Sequence, residues 1–310
     1  MKKISKVAGF SVFFVFAFCF FLFFTFPYEI LKEALSEKIS SMSGLNIRIG
    51  ELGPSFPMGL SVENIVINSK HGAELKFKKV DASMSLLALL MGGIGADIVI
   101  NSGNNDYLSI EGKLGILSLL IDNNFLPKKV NIKSQKFPIG GIVDFILAME
   151  ANSPTANPLV SPILKQINFS AKLQSDIKAN LDVSDPVGSS GNLDISFSDA
   201  VLKMTDPSLE MPNQNFKHAK ITAGLSKGVF TIATGSGLVS SDISLTVGGN
   251  VSLKQPPERS ILAMDVGVEL KGPLKEQFGF VMDAISGSQR DGKMSMKIGG
   301  TLNQPNVDYY

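Results

Sequence analysis

The stretch FSAKLQSDIKANLDV, residues 169–183, places Phe169, Ala171, Leu173, Ile177, Ala179, Leu181 and Val183 on odd positions, with mostly polar residues between them. Successive side chains leave opposite faces of a pleated strand, so this period of two predicts a half-buried antiparallel strand, with a break near Gln174-Ser175. The same alternation recurs at Leu193, Ile195 and Phe197, and at Leu245 and Val247. It resumes at Val251 and Leu253 past Gly248-Gly249, at Leu262, Met264, Val266, Val268 and Leu270, and at Met294, Met296 and Ile298. Upstream, Ile47 and Ile49 flank Arg48, and Gly53-Pro54 with Pro57 predict the turn of a hairpin. Leu60 and Val62 then alternate, as do Ile65 and Ile67, and the change of phase at Glu63-Asn64 predicts a bulge. Residues 75–81, 96–100 and 107–114 read as further strands, the last two joined around Ser102-Gly103-Asn104-Asn105.

Most of these strands lead into the next through Gly, Asn or Pro turns, which predicts antiparallel meanders. Sheets with one apolar face must curl over themselves, pack on helices, or hold something apolar. The expected fold class is mainly β: a curved, mostly antiparallel sheet or sandwich-like domain with a few short amphipathic helices. Leu245, Val247, Val251 and Leu253 are candidate residues of its apolar face. Lining an open trough would point to a bound apolar ligand; a closed sandwich would point away from one.

Helices are expected at residues 27–43, 141–150, 159–167 and 274–286, with a Leu-rich helical turn at 85–91 stopped by Gly92-Gly93. In the first, Leu31, Ala34, Leu35, Lys38, Ile39 and Met42 follow helical spacing between Pro27 and Gly44. Its polar side is not strongly basic, which favours packing on one end of the sheet over lying on a membrane.

Before that helix runs VAGFSVFFVFAFCFFLFFTF, residues 7–26, which holds 20 residues, no charge and ten Phe. That length crosses the roughly 30 Å apolar core of a bilayer as one helix. Val7, Phe13, Phe16, Phe20, Phe24 and Phe26 mark the expected anchor. Lys2, Lys3 and Lys6 precede it, while Pro27, Tyr28 and Glu29 follow, which predicts a cytoplasmic N-terminus. A cleaved signal peptide would have a shorter apolar region ending in small residues, and Cys19 lacks the small residue a lipoprotein signal would place before it.

The 29 Lys and Arg against 28 Asp and Glu leave a formal charge of +1, no field for nucleic acid. With Cys19 the only cysteine, the rest of the chain forms no disulfide and must rely on a core or on sheet pairing. The two histidines, His71 and His218, stand in expected polar turns without metal-ligand spacing. Gly188-Ser189-Ser190-Gly191 and Gly235-Ser236-Gly237 read as flexible loops. Asp182/Asp185 and Asp194/Asp199 read as solvated carboxylates at strand ends and turns, and Met264/Met282 and Met294/Met296 as adaptable core. No catalytic residue, metal site or cofactor is expected.

The order of segments carries a resemblance. The anchor leads into a helix ending in SGLNIRIGEL and then GLSVENIVI. SMSLLALLMGG, DFILA, PLVSPILKQINFSAKL, GNLDISFSDA and the terminal GKMSMKIGGTLNQPNV follow. This layout resembles the N protein family of the bacterial type II secretion system, in the variety found in delta-proteobacteria and spirochaetes. That family is itself similar to AsmA-like proteins, whose late G-x-L-x-x-P element stands here at Gly300 to Pro305. The resemblance covers nearly the whole chain and transfers no catalytic set.

It implies a single-pass inner-membrane protein with a cytoplasmic tail at 1–6, an anchor at 7–26, a juxtamembrane helix at 27–43 and a periplasmic β-rich domain at 44–310. The implied function is that of an accessory, non-catalytic part of the secretion machine, with other secretion subunits as partners. The alternative it implies is an AsmA-like protein that binds phospholipid in an apolar β groove or maintains the envelope.

Overall fold

The computed structural model describes residues 25–309 apart from 57, 71, 86–92, 104, 116–127, 154–160, 183–184, 207–211 and 287–290, together with 14, 17, 18, 21 and 23. The described residues build one 16-stranded sheet in which each described pairing is antiparallel. In chain order the strands are β1 (Asn46–Arg48), β2 (Glu51–Ser55), β3 (Gly59–Asn68), β4 (Glu74–Met84), β5 (Gly93–Asn101), β6 (Tyr107–Gly115), β7 (Lys129–Pro138) and β8 (Ile167–Asn180). They continue with β9 (Ser190–Met204), β10 (Gln214–Asn215), β11 (His218–Ser226), β12 (Val229–Val239), β13 (Ile243–Ser252), β14 (Ile261–Leu270), β15 (Lys293–Gly300) and β16 (Pro305–Tyr309). Along the sheet nearly every strand pairs with its predecessor and successor; β1 and β2 share the outer side of β3, and β10 adds to β9. The path ends at β1 and β16 without closing into a barrel. Open sheets of more than about ten strands must curl.

The curl has local causes. In β7, Lys136 is one residue too many against β8 and adopts φ 48°; in β9, Asp199 does the same against β8 with φ 53°. In β12 the register slips on both sides between Ile232 and Gly237, around Gly235 at φ 87°. Bulges bend and over-twist a strand. The expected bulge at Glu63-Asn64 is present, with Asn64 at φ 55°. Opposite it, Lys78 also drops out of the ladder. One extra residue in each strand keeps the register while returning Ile65, Ile67, Leu75 and Phe77 to the face of Leu60, Val62, Val80 and Ala82.

Among the described residues four helices accompany the sheet: α1 (Tyr28–Ser43), α2 (Gly140–Ala151), α3 (Ser161–Leu164) and α4 (Gly272–Ser286). Helix α1 stops at Gly44, left-handed at φ 69°, and lies on β1 and β2 as expected for a helix that covers one end of the sheet. Ser36 Oγ donates to the Ile47 carbonyl, and the Ile47 N–H donates to Ser40 Oγ at 2.9 Å. Helix α4 rests on β14 and β15 and buries Leu274 and Met282. Helix α2 touches both β8 and β4, strands that would stand about 19 Å apart in a flat sheet. A methyl at Gly140 would meet the Phe169 carbonyl at 3.2 Å, and one at Gly141 would meet Leu75 Cδ1 at 3.6 Å. The sheet is therefore drawn into a curve under the start of α2.

Several expectations are corrected. No second sheet packs on the first among the described residues, so the fold is a single curved sheet and not a sandwich. Gly53-Pro54 lies inside β2, and the chain turns between Ser55 and Gly59 instead. β8 runs unbroken through Gln174-Ser175 because both residues keep partners in β9. Gly248-Gly249 lies within β13, paired on both sides, and Leu253 falls just past its end. The helix expected at 159–167 is only Ser161–Leu164 in the described residues, and Ile167 opens β8. Gly235-Ser236-Gly237 belongs to β12, and Gly188 closes a short 3-10 turn before β9. His218 opens β11 and so is not in a turn. Strands β7, β11, β12 and β16 go beyond the sequence reading.

The helical turn expected at 85–91 lies outside the described residues beyond Ser85, as do His71 and Val183. So do Val7, Phe13, Phe16, Phe20 and Phe24 of the expected anchor, while Phe26 stands at the bend before α1. Among the described residues no helix is long and apolar enough to cross a membrane.

Candidate functional site

Residues paired across a ladder share a face, so the registers trace which side chains lie together. Starting from Leu60, the partners run Ala82, Ile98, Ile110, Ile132, Ile177, Leu193, Ala223, Ile232, Gly249, Met264, Ile298 and Val307. This row crosses thirteen strands without a polar side chain, a path of roughly 58 Å at the ordinary strand spacing. Leu245, Val247 and Val251 belong to the same face: Leu245 pairs with Leu238 and Val268, Val247 with Val266, and Val251 with Phe230 and Leu262. The adjoining row, Ser61, Asp81, Val99, Ser109, Lys133, Asp176, Asp194 and Thr222, lies on the opposite face and is mostly polar.

The apolar face is only partly covered. Within the row just Ala223 and Ile232 are buried; Ile98 is 38% exposed and the other side chains described between Leu60 and Ile298 are half-buried. Leu245, Val247, Val251 and Leu253 are half-buried as well. The compact core is small: Ala171, Ala200 and Ala219, surrounded by Ile139, Phe169, Phe197, Phe216 and Leu238. A sandwich of this size would bury the whole face; here most of it forms an open trough.

Two polar insertions in the apolar face are satisfied from within. Ser134 and Ser175 face each other with their hydroxyls 2.8 Å apart, and Ser134 also donates to the Leu173 carbonyl at 3.2 Å. The β12 bulge leaves Thr222 without a ladder partner on that side. Ser236 replaces it, accepting the Thr222 N–H at 3.1 Å and donating to its carbonyl at 3.3 Å. The sheet thus bends without leaving raw backbone in the trough.

At the first end of the row a hollow of about 680 Å³ opens beside α1. Its wall includes Phe23, Phe26, Tyr28 and Leu31 from the entrance to α1, and Met58, Leu60, Ala82, Met84, Ala96 and Ile98 from β3 to β5 and the turn before them. Between Ala96 and Ile98, Asp97 pairs with Glu111 of β6 and so turns its side chain to the outer face. Burial, then the nearby Glu111 carboxylate, pushes its carboxyl above the usual carboxylate range, with Lys113 opposing.

The residues weighed for chemistry are dispersed over the molecule. Asp194 pairs with Lys220 at 3.1 Å and Asp199 with Lys172 at 2.8 Å; Lys172 holds the Asp199 carboxyl below its ordinary value. Asp182 accepts the Asp185 N–H at 3.0 Å as a turn residue, and His218 Nε2 lies 3.1 Å from the Gly235 carbonyl. Met264, Met294 and Met296 sit in the trough, while Met282, on α4, is buried. Sequence reading named four residues of a candidate face; the ladders connect Leu245, Val247 and Val251 to the whole row, while Leu253 lies just past β13, and the missed signals were Val130/Ile132 and the Lys227-Gly228 turn between β11 and β12. Comparison of the chain with family models, with curated proteins and with solved structures finds no match.

Proposed function

We propose that this protein binds phospholipid acyl chains along the open apolar face of its sheet while residues 7–26 tether it to the inner membrane. The observation that carries this reading is the apolar row from Leu60 to Val307, half-buried over most of its length and exposed at Ile98 and Val307. An apolar surface larger than a few hundred Å² is costly in water and marks a binding surface. Each methylene moved from water onto it contributes about 0.8 kcal/mol, and the serines set into it, Ser134, Ser175 and Ser236, are hydrogen-bonded within the sheet.

Lipid extraction tests it. The full chain, purified in detergent, is expected to carry phospholipid at one or more molecules per chain. Ile98→Asp with Ile110→Asp should abolish this, whereas Ser109→Asp on the outer face should not. Equal lipid in all three proteins would overturn the reading.

A second reading, accessory component of a type II secretion system, is supported by β16, whose five residues are all exposed along an open sheet edge. Such an edge suits a partner that adds a strand. Deletion in the source organism separates the two. Exoproteins stalled in the periplasm behind a tight envelope favour secretion; a leaky envelope with normal export favours lipid handling.

A further inference from the structure

The hollow beside α1 joins two apolar regions. Phe23 and Phe26, from the last turn of the uncharged run, form one wall, and Leu60, Ala82 and Ile98, the first members of the long row, form the other. A bilayer that holds residues 7–26 therefore reaches the hollow, and the hollow opens onto the trough. Apolar residues that line it are exposed, Phe26 at 49%, Met58 at 41% and Met84 at 42%, and Phe56, two residues before Met58, is exposed at 79%. Phe56 and Met58 lie between β2 and β3, and Met58 shares the hollow with Phe23 and Phe26 from the end of the apolar run. Large exposed apolar side chains gathered around one opening, next to a segment of bilayer-spanning length, match a surface that faces acyl chains and not water. The volume of about 680 Å³ lies in the range of ligand sites, roughly 300–1,000 Å³.

We propose that this hollow is the mouth of the trough: the turn carrying Phe56 and Met58 dips into the bilayer beside the anchor, and a single phospholipid acyl chain slides from that bilayer between Phe26 and Met84 onto Leu60, Ala82 and Ile98. The inference rests on the lipid reading and adds to it the source of the lipid and its point of loading. The occupant is an acyl chain because the walls that meet it are almost wholly hydrocarbon.

The sequence contains no Trp, so Phe56→Trp makes a single reporter. In the full chain reconstituted in vesicles of phosphatidylethanolamine and phosphatidylglycerol, its emission should shift to the blue and be quenched at least twofold by brominated acyl chains. The control reporter Val187→Trp, exposed in the turn before β9, should not respond. Met84→Glu should cut co-purifying phospholipid about tenfold without changing the melting curve, and Met84→Leu should leave it unchanged. An unquenched reporter in the Phe56→Trp protein, or emission that follows protein dilution and so reports a second copy on the turn, overturns the proposal, as does full lipid loading of the Met84→Glu protein. In each case the wild type's own lipid content reads the underlying function separately: wild type with lipid keeps the trough and discards this mouth, while wild type without lipid removes both.

Discussion

Gly249 sits mid-strand in β13 at φ 110°, where a Cβ would lie 2.3 Å from the Ala263 carbonyl of β14. Neighbouring Gly248 has nothing within 4 Å of the same position. Gly249→Ala should therefore cost about 2–5 kcal/mol from backbone strain and overpacking. Gly248→Ala should be neutral or stabilising by up to about 1 kcal/mol, and denaturant melts of the two variants compare them directly. The sequence shows the pair as a turn signal, because glycine's turn preference is local and the two ladders that override it are not. Asn64 is the reverse case: its bulge is legible, since a slip in the apolar phase of β3 survives in the sequence itself.

Asp97 supplies a pH test at the same scale. Its folded carboxyl titrates above the ordinary range, so the folded chain holds that proton more tightly than the unfolded chain does. The stability it contributes is lost as pH rises from the unfolded value toward the folded one. Asp97→Asn should match or exceed the wild type in melting temperature at pH 7, and the gain should vanish below about pH 4. Asp199, Glu269 and Asp291 have the opposite sign, held low by Lys172, by Lys271 with Lys293, and by Lys275. Their contribution is present above the usual carboxylate range and fades as pH falls through it. Asp199 and Asp291 are exposed and Glu269 is paired at the surface, so the effect is small.

Among the elements, α1, α4, β14 and the first half of β9 are legible because one period runs through each, whereas Ser175 interrupts the period of β8 and Asp199 that of β9. Strand β7 is not: Val130 and Ile132 alternate, but Ser134 then takes an apolar position and Lys136 breaks the phase before Phe137. Ser134 makes sense only beside Ser175, 41 residues on. Strand β12 is hidden by its own bulge. An open sheet also changes what a core substitution costs. Leu245→Ala in β13 removes a half-exposed side chain and should destabilise by about 1–2 kcal/mol, below the 2–5 kcal/mol of an enclosed Leu. Phe145→Ala in α2 removes a buried ring and should cost about 3–5 kcal/mol. Chemical denaturation distinguishes these figures, and equal costs would mean that the face around Leu245 is enclosed.

Across the whole molecule, an amphipathic strand pattern suits a sandwich and a trough equally well. What separates them is whether a second layer covers the apolar face, which depends on the order of sixteen strands and on bulges whose residues read as loops. The mainly antiparallel β fold was therefore within reach of the sequence; the single open sheet was not. The most direct test of the lipid-bound trough is a photoreactive benzophenone side chain placed in the full-length protein in its own membrane. Positions Val266 and Ile177 lie on the apolar face, and Asp265 and Lys178 on the outer one. Phospholipid adducts at Val266 and Ile177, and none at Asp265 and Lys178, are the predicted result. Protein adducts alone at Val266 and Ile177, or no lipid at any of the four, would contradict the account.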